Sequence, residues 1–121
     1  MNTEKLTLIL LALCCALSVY MNKAAAVSAL GDKHAAVSLY DRAISIYERL
    51  VDQEGRRELT GNLAWVQAYQ AGILKQIGER TRARTLAHSA IATLQTEVKR
   101  TGRADLQSVL NWARQNLADL L

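Results

Sequence analysis

Leu30–Leu50 reads LGDKHAAVSLYDRAISIYERL, and the spacing inside it decides the fold. Gly31-Asp32 breaks the chain, after which Val37, Tyr40, Ile44, Tyr47 and Val51 recur at helical intervals and give one apolar face. Gly55 follows as a C-terminal cap. The pattern then comes round again 47 residues later. Gly31 falls on Gly78, Ala36 on Ala83, Leu39 on Leu86 and Ala43-Ile44 on Ala90-Ile91. Val51, Gly55-Arg56, Leu59, Leu63 and Trp65 meet Val98, Gly102-Arg103, Leu106, Leu110 and Trp112. Glycine permits a tight turn, and alanines seven apart on one helical face let antiparallel helices touch. A self-match of this length is the signature of a stacked solenoid, in which each unit covers its neighbour's apolar face.

Composition agrees with helices throughout. The 121 residues fit one domain, half of them are hydrophobic, and there is no proline and no phenylalanine. No stretch alternates apolar and polar residues between turn signals, so a sheet is not expected. About five helices emerge, over residues 4–30, 34–54, 57–77, 82–100 and 104–120, with glycines closing the first four.

These residues resemble the tetratricopeptide repeat family. Leu30–Leu50 is similar to the family's turn and second helix, and Ile77–Leu94, IGERTRARTLAHSAIATL, is a weaker copy in the same register. The resemblance implies an all-α, right-handed superhelix of antiparallel helix pairs with a long, bacterial-type period. It divides the chain into an apolar extension (1–15), a first repeat (16–54), a second repeat (57–101) and a capping helix or incomplete third repeat (103–121). Two departures stand out. The period exceeds the family's usual one, which requires longer helices, and Tyr40 becomes Ala87 in the second unit, which predicts looser packing or a gap filled from elsewhere.

The N-terminal stretch admits two readings. Leu6–Asn22 carries no charge, with Lys5 before it and Ala24-Ala25-Ala26 after it, as in a secretory signal or a membrane anchor. Against this, Val19 aligns with Val66 and Ala24 with Ala71, so the repeat already runs through the would-be cleavage region. We therefore expect a structural helix in a cytoplasmic protein, with export or anchoring through residues 6–22 as the alternative. Adjacent Cys14-Cys15 forms neither a disulfide framework nor a CxxC redox pair.

The resemblance also implies where a partner would sit, because the first helix of each family pair lines a concave groove. By register, the groove positions are Met21, Asn22, Trp65, Tyr69, Lys75, Gln76, Trp112, Gln115 and Asn116. Trp65 and Trp112 occupy one place a repeat apart and serve either as core or as partner anchors. The lysines of the family's carboxylate clamp are missing at the matching places.

The residues argue against an enzyme. No nucleophile elbow, phosphate loop or dinucleotide fingerprint occurs, and His34 and His88 lack further ligands at metal spacing, so no cofactor and no metal is expected. Asp41 and Glu48 share a helix face and read as solvated. Net charge is +4, concentrated in Arg80, Arg82, Arg84, Lys99, Arg100 and Arg103. That half could meet an acidic surface or nucleic acid, although a solvated face is the plainer reading. The expected function is a protein-interaction scaffold for a peptide or partner helix, with self-association of the short array also open. The alternatives are a membrane-anchored assembly protein and an anion-binding surface.

Overall fold

The computed structural model describes Lys23 and residues 31–121. They form four α-helices: α1 (Lys33–Glu48), α2 (Thr60–Gln76), α3 (Arg80–Thr101) and α4 (Ala104–Asn116). A π-helical turn (Arg49–Gln53) extends α1, a 3-10 turn (Arg57–Leu59) leads into α2, and another (Ala118–Leu120) follows α4. No strand occurs among the described residues, and the fold is all-α. The expected first helix and the apolar extension lie outside the described residues, save Lys23, which is helical.

Local chemistry sets the helix ends. Asp32 caps α1, its Oδ1 accepting a hydrogen bond from the Ala35 N–H at 3.1 Å. Such a cap contributes about 1 kcal/mol. At the end of α2 the Gly78 N–H donates to the Lys75 carbonyl (3.2 Å) and the Glu79 N–H to the Leu74 carbonyl (2.9 Å). This pair of hydrogen bonds is a Schellman closure, which needs a left-handed residue, and Gly78 supplies it at φ +87. The chain can then reverse directly into α3, which begins at Arg80, two residues earlier than its periodicity predicts.

One helix end departs from expectation. Residues 34–54 read as a single helix, yet α1 stops at Glu48 and the next five residues widen into a π turn, where the Glu54 N–H donates to the Arg49 carbonyl at 3.2 Å. The matching residues 96–100 of α3 stay α-helical. In the widened turn both Leu50 and Val51 are buried. Glu97 stands where the first unit has Leu50, so α3 carries no such apolar pair to bury.

Packing follows chain order. The α2–α3 hairpin has the most extensive interface; α1 lies on α2, and α4 lies on both α3 and α2. Along α2 only Gln76 is exposed, so this helix is covered nearly all round. Small residues make the approach close: Ala64, Ala68 and Ala71 of α2 and Ala83, Ala87 and Ala90 of α3 are buried completely or nearly so. Ala87, at the place of Tyr40, has no exposed surface. Leu74, Leu94, Leu106 and Leu110 complete the core, each shielding apolar surface at roughly 25 cal/mol per Å².

Candidate functional site

The face shared by α2 and α4 is built on two glycines. A Cβ at Gly72 would stand 3.2 Å from Trp112 Cη2 and 3.7 Å from Cζ2, and one at Gly61 would overlap Leu106. Their bareness lets α4 press against α2. Gly61, Trp65, Ala68, Tyr69, Gly72 and Gln76 fall on one stripe of α2, by the 3.6-residue period.

Three aromatic rings fill the seam. Tyr69 meets Trp112 edge to face, with centroids 4.8 Å apart and planes at 69°. Trp65 lies 6.2 Å from Tyr69 at 59°. All three are half-buried and pack on the core, so the tryptophans are neither wholly interior nor free. Trp65 Nε1 is buried without a hydrogen-bond acceptor. Behind the seam the fully packed Tyr40 hydroxyl is pushed up in pKa, first by burial and then by Tyr69.

Polar residues frame one end of the seam. Lys75 reads as a solvated groove residue in the sequence, yet its Nζ donates to the Asn116 carbonyl at 2.6 Å and to Asp119 Oδ1 at 3.1 Å. Arg80 reaches Asp119 Oδ2 at 3.4 Å, and Arg84 Nε donates to the Leu120 carbonyl at 2.9 Å. These cations meet carbonyls that the end of α4 leaves unpaired, where positive charge is favoured. The hydrogen bond from Lys75, more than the one from Arg80, holds the Asp119 carboxyl below its ordinary pKa. Asn116 is exposed and donates from Nδ2 to the Trp112 carbonyl at 2.8 Å, while Gln76 and Gln115 are also exposed. The structure thus brings Trp65, Tyr69, Lys75, Gln76, Trp112, Gln115 and Asn116 to the α2–α4 region; Met21 and Asn22 lie outside the described residues.

The basic half is largely spoken for within the chain. Arg82 binds Asp41 at 2.8 Å, Arg100 binds Glu97 at 2.6 Å, and Arg103 binds Asp105 at 2.6 Å and Asn62 at 3.0 Å. With Arg80 on Asp119 and Arg84 on Leu120, five of the six basic residues have internal partners. Asp41 is correspondingly no mere solvated carboxylate. It accepts from the buried Gln70 as well, at 2.7 Å.

Glu58 and Asp105 are residues the sequence reading overlooked. Each stands two places after an arginine that follows a left-handed glycine, and each forms an ion pair with that arginine, Arg56 or Arg103. The signal was available as Gly-Arg-x-acid at residues 55–58 and 102–105. His34 and His88 are both exposed, and no group of three metal-binding side chains occurs among the described residues. Nor is any helix among them long and apolar enough to cross a membrane; residues 6–22 lie outside that set.

Helices joined through glycine turns, with small buried residues between them, make an all-α fold of the helical-repeat type. Residues 16–55 match the tetratricopeptide repeat family model, and the all-α fold is consistent with that match. Repeats of this kind generally serve as protein-interaction scaffolds and are generally not catalytic. No curated protein and no solved structure matches the chain.

Proposed function

We propose that this chain holds a peptide or a partner helix along the face shared by α2 and α4. In this reading residues 57–101 form a second repeat after the matched first one, and residues 103–121 cap the array. The observation that carries it is the half-buried Trp65–Tyr69–Trp112 seam, aromatic surface left accessible on the two helices that also carry the exposed amides Gln76, Gln115 and Asn116. Aromatic rings with nearby polar rims are the usual composition of a protein-binding hot spot. Partners other than protein find less to hold, because five of the six basic residues expected to serve an anionic surface bind groups of the chain itself.

A peptide selected on the wild-type chain from a random display library provides the test. Gln76→Ala, Gln115→Ala and Trp112→Ala are expected to weaken its binding, Trp112→Ala by about tenfold or more. Ser89→Ala and Thr96→Ala, exposed on α3, serve as controls and are expected to leave binding unchanged. Loss of binding in the α3 variants alone overturns the reading.

A further inference from the structure

A polar chain crosses three helices, α1, α2 and α3. Gln70 of α2 is buried to 1% exposure, and its Nε2 donates to the Val37 carbonyl (3.2 Å) and to Asp41 Oδ1 (2.7 Å), both on α1. The same Oδ1 accepts from Arg82 Nη2 of α3 at 2.8 Å. α1 and α3 have no extensive interface of their own, so Asp41–Arg82 is a direct link between them.

The matching place at the next junction lacks these two residues. Moving 47 residues along, Leu117 stands in the place of Gln70 and His88 in that of Asp41. Leu117 is fully buried and His88 exposed, so the matching place is apolar, and the polar bonds to the end of α4 come from other residues, Lys75, Arg80 and Arg84. An apolar contact tolerates sliding and rotation, whereas a buried amide with two fixed acceptors accepts one placement.

We propose that Asp41, Gln70 and Arg82 form a docking lock that fixes the register of α1 on the α2–α3 hairpin. Releasing the lock frees α1 while α2, α3 and α4 stay assembled. Two parts of the lock differ in weight. Asp41 and Arg82 are each nearly half exposed (47% and 46% of the side chain), so their ion pair alone contributes little. Gln70 is buried, so losing Asp41 leaves one of its two Nε2 hydrogens without an acceptor while the Val37 carbonyl keeps the other. Asp41 therefore acts mainly through Gln70, and Arg82 acts by holding Asp41 in place.

Amide hydrogen exchange on the full chain tests the lock and requires no binding partner, so its outcome is independent of the proposed function. In Asp41→Ala the amides of Ala36–Tyr47 are expected to exchange about tenfold faster or more, with those of α2, α3 and α4 changed less than twofold. Gln70→Leu, which installs the residue found at the next junction, is expected to stay folded and loosen the same segment. Arg82→Gln alters only a surface side chain and decides the matter if Asp41→Ala fails to fold, with a smaller acceleration confined to α1. Uniform acceleration over all four helices, or none in α1, overturns the proposal.

Discussion

Trp112 of α4 lies against the bare backbone of Gly72 on α2, at the distance where a methyl group would just begin to press on its ring. That contact sets how near the two helices come, and with it the position of the ring against Tyr69. Gly72→Ala adds the helix-favouring methyl, worth about 1 kcal/mol, and asks a half-exposed ring to give by a few tenths of an ångström. These terms nearly cancel, so its urea midpoint is expected close to wild type. Gly72→Val cannot be absorbed in this way and is expected to cost about 1–3 kcal/mol, with an altered tryptophan emission spectrum.

Gly78 carries a different demand. Its φ of +87 closes the α2–α3 turn, and a Cβ there meets no neighbour within 4 Å. Gly78→Ala therefore isolates backbone strain from crowding and is expected to destabilise by about 1–2 kcal/mol in thermal or urea unfolding.

Leu94 of α3 is buried completely, on the helix that has its most extensive interface with α2. Leu94→Ala is expected to cost about 2–5 kcal/mol, from lost burial together with the cavity left among neighbours that cannot collapse. A smaller loss, read from the urea midpoint, would mean that the hairpin is looser than its alanine contacts indicate.

Stability is expected to fall at both ends of the pH scale. Hydrogen bonds from Lys75, Arg56 and Arg103 lower the pKa of Asp119, Glu58 and Asp105 respectively in the folded chain. Their contribution is present above the ordinary carboxylate range, about pH 4, and is lost as pH drops through the lower folded-state values. Tyr40 has the opposite sign: burial raises its pKa, so stability is intact below about pH 10 and lost above it. Thermal unfolding across pH checks both limbs. Asp119→Asn is expected to flatten part of the acid limb, and Tyr40→Phe the alkaline one.

Much of this architecture is legible in Leu30–Leu50 and its echo, because glycines, alanines and apolar positions speak through local spacing. The turns at Gly55, Gly78 and Gly102 all adopt positive φ, and the paired alanines are buried. The π turn at Arg49–Gln53 was not legible, since its residues carry the same apolar period as a regular helix. Periodicity was equally silent about Gln70 and Asp41, which meet across 29 positions and have no counterpart 47 residues on. Asp119 and Lys75 escaped for the same reason: their pairing depends on where α4 ends, which spacing does not encode. Register points to the groove positions, but the half-buried state of Trp112 depends on its close contact with Gly72, which spacing does not encode.

The interaction face itself is tested most directly by site-specific photocrosslinking in cells. A photoreactive residue replaces Gln76 of α2 or Gln115 of α4, and Ser89 or Thr96 of α3, all of them exposed. Crosslinked protein partners are predicted from Gln76 and Gln115, with none from Ser89 or Thr96. Crosslinks only from Ser89 and Thr96, with Gln76 and Gln115 silent, would contradict the account.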